Sequence, residues 1–296
     1  MSASDRIITL AQERMAARAA KDWARSDQLR DEIAAAGFDV VDVAGGFELK
    51  ERERFPVYSS PRDIRPIVIG KSEIALTMIV DGFIEDCIET IQSVKKFSDV
   101  PIVLLVLGEP GALVDHLDAQ TKIITLSEKF GWGECANALL KSVSSKFLVL
   151  MDPSTRFTGD AVTPVLDVLV QGHYAAAGWK GGLINLDDQW RSVDDKGIGE
   201  VDVLFSYFIA LDREGAISAE GFNNRAVYYR NADIEFSLRL KHAGGHLLQI
   251  DLPLEQARHH GYYDVDPEYR DLQSKKNYDR ILERFRGKEA ILSPRR

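Results

Sequence analysis

The chain has 296 residues, 45% of them hydrophobic and 28% charged, which is apolar material for one large core or two modest ones. Lys and Arg number 37 against 46 Asp and Glu, and the formal charge of −9 excludes a basic coat for sequence-independent binding of a phosphate backbone. Two cysteines occur, Cys87 and Cys135, neither with Cys or His at metal-ligand spacing, so no disulfide framework or zinc module is encoded and a reducing, cytoplasmic setting is expected.

Residues Met1 to Arg6 are polar, and Gln12, Glu13 and Arg14 interrupt the apolar stretch that follows, so no signal peptide is expected. No run approaches the roughly 18 consecutive apolar residues of a membrane span. Two helices open the chain: Ser4 can cap the first and Asp22 the second, and Gly37 stands after Ala34, Ala35 and Ala36 where the second ends. A strand pair follows, Phe38–Val41 and Phe47–Leu49, turned at Gly45 and Gly46. Three prolines among alternating charges place a linker over residues 50–66.

From Arg14 to Ile33, and on through Gly37, Phe38, Val41 and Asp42, the order of residues closely resembles the extreme C-terminal helical piece of bacterial cysteinyl-tRNA synthetases. The resemblance covers about residues 6–50 and implies recognition of RNA or of a partner rather than chemistry. The catalytic part of a synthetase has no counterpart: there is no His-Ile-Gly-His segment and no cysteine-ligated zinc site, and the stretch from Lys141 to Ser145 is only superficially similar to a synthetase lysine loop. Aminoacylation is set aside. The same residues also read as a charged helical hairpin with a solvated face, with Arg18 and Asp22 spaced to pair. Residues 1–50 carry seven basic and nine acidic side chains, a net of −2, which is poor for holding tRNA unaided.

From Ile67 onward, apolar runs of strand length alternate with helix-period segments, the pattern of a mostly parallel sheet flanked by helices. Strands are expected at Ile74–Val80, Ile102–Leu107, Lys122–Leu126, Phe147–Met151, Tyr174–Trp179, Val201–Leu211 and His246–Ile250, with helices near 85–96, 111–118, 133–143, 160–170 and 231–243. Phe147–Met151 is apolar throughout, as for a strand buried on both faces, and ends abruptly in Asp152-Pro153. A carboxylate at the C-terminal tip of a central parallel strand sits where open α/β sheets bind ligands, although Asp-Pro is equally a turn opener.

Several segments then come in a telling succession: Ile74 to Asp81, the helix through Ile91 and Val94, the strand to Leu107, Gly131 to Ala138, and Lys146 to Asp152. Gly221-Phe222-Asn223, Asn231 to Arg239, Gly244-Gly245 and Arg258-His259-His260-Gly261 continue it. This order, over roughly residues 70–263, resembles family 2 glycosyltransferases and implies a GT-A fold. By that resemblance Asp152 matches the first acid of the family's Asp-x-Asp element, with Ser154 in place of the second. His259 or His260 matches the family's late histidine, and Asp233 matches its catalytic acid, with Ala232 in place of the preceding Glu. A nucleoside diphosphate gathers negative charge as it leaves, so a divalent cation, Mg²⁺ or Mn²⁺, is expected on Asp152 and His259, with His260 at the diphosphate. A serine hydroxyl is a weaker ligand than a carboxylate, which lowers the expected metal affinity. Paired histidines in a loop also read as surface residues.

Asp233 near a helix start can serve as general base, or simply favour the helix dipole. Glu235 has Arg239 at i+4, spaced for a surface ion pair. Asp81 follows the first strand as a contact for base or ribose, or as a turn residue. By the same resemblance Gly131, Trp132, Gly133 and Asn137 are expected at the donor-side loop and helix start, with Trp132 as a stacking surface. Where the family ends its second strand with an acid, this chain has Leu107. Trp179, Trp190 and Asp202 are candidates for an acceptor groove or for packing.

The fold expected is therefore α/β: a GT-A domain over 67–296, preceded by a helical hairpin module over 1–49. The expected function is inverting transfer of a sugar from a nucleotide donor to an acceptor of unknown identity. The alternative is a non-catalytic GT-A-like adaptor whose N-terminal module meets tRNA or protein, and the oligomeric state stays open.

Overall fold

The computed structural model describes residues 5–51 and 54–295. Two compact units divide at Pro56 and Val57. The first opens with α1 (Asp5–Ala19) and α2 (Trp23–Ala35) and closes with an antiparallel hairpin of β1 (Phe38–Val43) and β2 (Gly46–Glu51). Asp22 caps α2 by accepting from Arg25 N at 3.1 Å, while the expected cap Ser4 lies outside the described residues. Arg18 turns not to Asp22 but to Asp42, 3.4 Å away, beside Arg14, which donates to both Asp42 oxygens at 2.7 and 3.1 Å. Ile7, Ala11 and Ile33 form the buried centre of this unit, with Phe38, Val40, Phe47 and Leu49 of the hairpin packed against it.

The second unit runs in chain order through β3 (Val57–Tyr58), β4 (Ile74–Val80), α3 (Ile84–Phe97), β5 (Ile102–Leu107), β6 (Thr121–Leu126) and α4 (Trp132–Ser142). It continues with β7 (Phe147–Met151), β8 (Thr155–Phe157), α5 (Val162–Leu169), β9 (Ala176–Gly178), β10 (Gly181–Ile184) and β11 (Val193–Asp194). Then come β12 (Gly199–Val201), β13 (Val203–Leu204), β14 (Phe208–Asp212), α6 (Arg213–Ser218), α7 (Ala232–His242), β15 (Leu247–Gln249), β16 (Leu254–Gln256), α8 (His260–Tyr263) and α9 (Pro267–Phe285). The middle of the segment expected to be a linker over 50–66 carries a short strand: Val57 and Tyr58 pair in parallel with Thr125 and Leu126.

Nine strands make the main sheet, in the order β12-β15-β9-β14-β7-β4-β5-β6-β3. The run from β7 to β3 is parallel, and β14 and β12 run against their neighbours. From β4 the chain builds outward through β5 and β6, then returns to place β7 on the other side of β4. That reversal is a topological switch point, where open sheets leave a crevice at the strands' C-terminal ends. The apolar runs of β4, β5 and β7 are buried along their whole lengths, as strands covered on both faces require.

Two expectations are corrected. Val201–Leu211 is not one strand, because Ser206 leaves the ladder and gives its N–H to the Asp233 carboxylate instead. Residues 111–118 form a 3-10 turn, Gly111–His116, entered through Pro110 and a Gly111 with φ +53. Both cysteines are free, and burial pushes the Cys87 and Cys135 thiols up to about 12. Among the described residues no helix is long and apolar enough to cross a membrane.

Candidate active site

Two hollows meet at the C-terminal ends of β4 and β7 and share four lining residues, Asp152, Ser206, Tyr229 and His259. The first, about 130 Å³, lies at the switch point beside Asp81, Trp132 and His260. The second, about 830 Å³, is bounded on its far side by Asp233, Arg230 and Arg191. The acid closing β7 and the acid opening α7 therefore line one cleft.

Asp152 is anchored locally. Its Oδ1 accepts from Ser154 N at 2.8 Å and, in a tighter contact, from the Ser154 hydroxyl. That hydroxyl accepts from Gln256 Nε2 at 2.6 Å, where β16 pairs with β8. His259 Nδ1 lies 3.1 Å from Ser154 Oγ and 3.3 Å from Asp152 Oδ1, and its Nε2 meets the Tyr229 hydroxyl. The network assigns the ring: Nδ1 carries the proton toward Ser154 and Asp152, and Nε2 accepts from Tyr229. Burial and the neighbouring Tyr228 hold the Tyr229 hydroxyl protonated far above its usual range.

Asp233 is buried, in the first turn of α7. Its Oδ2 accepts from Ser206 N at 2.9 Å and Ser206 Oγ at 3.1 Å, and its Oδ1 accepts from Ile234 N at 2.9 Å. Burial nevertheless raises the carboxyl above its ordinary value, and these donors leave lone-pair capacity for one more proton donor. Asn231, with φ +67, takes the left-handed conformation that sets the turn into α7, and its side chain donates to Ser274 O at 3.1 Å.

The remaining expected residues divide. Trp132 lines the first hollow and meets Phe222 edge-on, with ring centroids 5.2 Å apart. Asp81 stands at the tip of β4 in an exposed ion pair with Lys129 at 2.7 Å. His260 lies under the Phe83 ring, 2.5 Å from Asp264 and 3.6 Å from Asp86. Gly131 caps α4 but lines neither hollow. Asn137 lines neither as well: its amide holds the 222–224 loop through both polar groups of the Phe222 backbone at 2.8 Å and Asn224 Oδ1 at 2.7 Å. The first N–H groups of α4, from Trp132 and Gly133, bond Val227 O and Ala226 O.

One surface expectation is corrected, and two of the groove candidates take their packing alternative. Glu235 is 1% exposed and its pair with Arg239, at 2.9 Å, is buried, with Asn223 Nδ2 donating to the same carboxylate at 2.7 Å. Asp202 is fully buried, tying Ile184 N, Ser293 N and Arg295 together, and Trp190 is buried in a separate core with Val203, Ile234 and Leu238. Trp179 lies at a third cavity.

Sequence reasoning missed Asp86, Ser206, Tyr229 and Gln256. Tyr229 alone carried a signal, as part of an aromatic and basic run, Tyr228-Tyr229-Arg230, just ahead of the helix that bears Asp233. Burial raises Asp86 against the pull of His260.

No protein-family model matches the chain. A crystal structure of GalNAc-T7 with UDP, GalNAc and Mn²⁺ superposes with a TM-score of 0.53 at 13% identity, over 72% of this chain and 48% of that one. The mannosyltransferase PcManGT from Pyrobaculum calidifontis, in complex with GDP-Man and Mn²⁺, superposes with a TM-score of 0.54 at 12% identity, over 94% of this chain and 75% of that one. The fold is GT-A.

Alongside the GT-A fold, the N-terminal segment matches cysteine–tRNA ligases. It is 56% identical over 41 residues to that of Phocaeicola vulgatus and 65% identical over 34 residues to that of Beutenbergia cavernae. Those matches span 14% and 12% of this chain and only 8% and 7% of the ligases.

Proposed function

We propose that the second unit is a nucleotide-sugar-dependent glycosyltransferase that inverts the anomeric centre. The observation that carries the reading is the shared cleft: Asp152 at the crest of the parallel strands and Asp233 at the start of α7 line it together. The donor places its nucleoside in the first hollow, toward Asp81 and Trp132, and its diphosphate toward His260 and Arg230. The acceptor hydroxyl enters the second hollow, its oxygen attacks the anomeric carbon, and the bond to the diphosphate oxygen breaks with its electron pair. Asp233 takes the hydroxyl proton, a task that suits a carboxyl raised by burial.

The residues present do not fit a divalent cation held by the protein. Asp152 is the one carboxylate of its cluster, Ser154 is hydrogen-bonded to it, and both His259 nitrogens are engaged. Among the described residues no three His, Cys, Asp or Glu side chains gather as a cation site. The leaving group is instead met by His260 and Arg230, which line the cleft.

A thermal-shift panel of UDP-, GDP- and dTDP-sugars, each in chelator and in Mn²⁺, tests the reading. One donor at about 100 times its Kd should raise Tm by roughly 5–10 °C in chelator. Asp233→Asn should keep that shift while losing transfer. Equal turnover by variant and parent removes Asp233 from the mechanism.

A second reading is a GT-A scaffold that binds without transferring, favoured by Ser154 and Ala232 at the positions of two family acids. It predicts no donor shift and a shift with tRNA, carried by the segment similar to cysteine–tRNA ligases.

A further inference from the structure

A third cavity, about 390 Å³, opens past Val193 and Phe205, which line it and the Asp233 hollow alike. Its size falls in the ~300–1,000 Å³ range of small-ligand sites. Its polar lining favours acceptors: Asp195, Asp251 and Gln249 stand against Lys180. Gln249 is nine-tenths buried, and among the described residues its side-chain carbonyl Oε1 has no hydrogen-bond partner. A buried carbonyl in that state is unfavourable until something supplies a donor. Trp179 stands partly exposed at the same cavity, met edge-on by Tyr207 and with Lys180 Nζ 4.3 Å from its ring centre.

An indole packs against the C–H face of a sugar ring, while amide and carboxylate oxygens accept from its hydroxyls. Two carboxylates repel an anionic chain. We infer that this cavity binds a neutral saccharide unit of an extended acceptor whose reacting hydroxyl lies at Asp233. The inference rests on the transferase reading and adds to it a substrate class, a neutral oligosaccharide rather than a small alcohol.

The test is an array of neutral and anionic oligosaccharides of graded length, probed with the full chain, followed by calorimetry on the best ligand. Neutral chains should bind better as they lengthen. Trp179→Ala should weaken that binding about tenfold or more. Gln249→Leu should weaken it too, with Tm unchanged or raised because the orphaned carbonyl is gone. Absence of neutral-chain binding, or binding that survives both variants, overturns the inference. The donor-induced Tm shift is read on the same preparations: its presence without oligosaccharide binding fails this inference alone, and its absence fails the transferase reading.

Discussion

Burial raises the Asp233 carboxyl above its ordinary range, against the pull of the Ser206 and Ile234 donors. A folded-state pKa above the ordinary 3.8 means that the native chain binds this proton more tightly than the unfolded chain does. The group thus contributes stability below the unfolded value, and that contribution is lost as pH rises through the folded value. Asp233→Asn lacks the titration, so its Tm relative to the parent should climb as pH rises above the ordinary carboxylate value, and a flat difference would return the carboxyl to its ordinary range. The acidic limb of kcat/KM in the parent should lie above the ordinary carboxylate range for the same reason. Two residues on, Glu235 points elsewhere, into the buried pair with Arg239, with Arg280 3.6 Å from the same carboxylate. Glu235→Ala removes the buried partner of Arg239 and leaves it only the exposed Glu220 carboxylate at 3.8 Å, and a loss of about 3–5 kcal/mol is expected in urea unfolding. A loss under ~1 kcal/mol, the size of an exposed pair, would contradict that burial.

At the scale of elements, α4 and the loop ahead of α7 are built as one piece. A Cβ on Gly133 would sit 2.0 Å from Asn223 O, and one on Gly221 would sit 2.4 Å from Asn137 Oδ1, so backbone and amide approach closer than any side chain allows. Gly133→Ala should cost about 1–3 kcal/mol and shrink the donor shift, because the displaced loop carries Val227 and Tyr228 into the first hollow. An unchanged Tm would show that the loop yields freely. Legibility in the sequence followed burial. The runs Ile74–Val80, Ile102–Leu107 and Phe147–Met151 coincide with the observed strands, since strands covered on both faces leave no polar interruption. The Val201–Leu211 run hid a break, because Ser206 is recruited by a helix far along the chain. The helix α9 escaped notice: its buried positions are Ser274, Asn277, Ile281 and Phe285, so half of the buried stripe is polar and the helical period is muted. Asn277 is buried there for its two 2.8 Å bonds to Tyr228 O and Arg230 O, which steady the segment bearing Tyr229. The acids at the cleft were legible by motif order, whereas the hydroxyls of Ser206, on Asp233, and of Tyr229, on His259, depend on contacts no local pattern records.

For the molecule as a whole, the division at Pro56 and Val57 separates two pieces of very different size. Every residue lining the three cavities, from Ile79 to Tyr278, belongs to the larger. Its sheet draws its own edge strand, β3, from residues just past the division, so a chain starting at Val57 keeps the nine-stranded order intact. The smaller unit closes its own core around Ile7, Ala11 and Ile33 and clamps its hairpin through Arg14 and Asp42. At roughly 50 residues such a core is marginal alone, and its unfolding is expected as a separate, weaker transition. Removing residues 1–56 should therefore leave the donor-induced Tm shift and the transfer rate unchanged while any tRNA-induced shift disappears. If the donor shift falls with the deletion, the smaller unit contributes to the cleft, and the assignment of donor binding to the GT-A unit by itself fails.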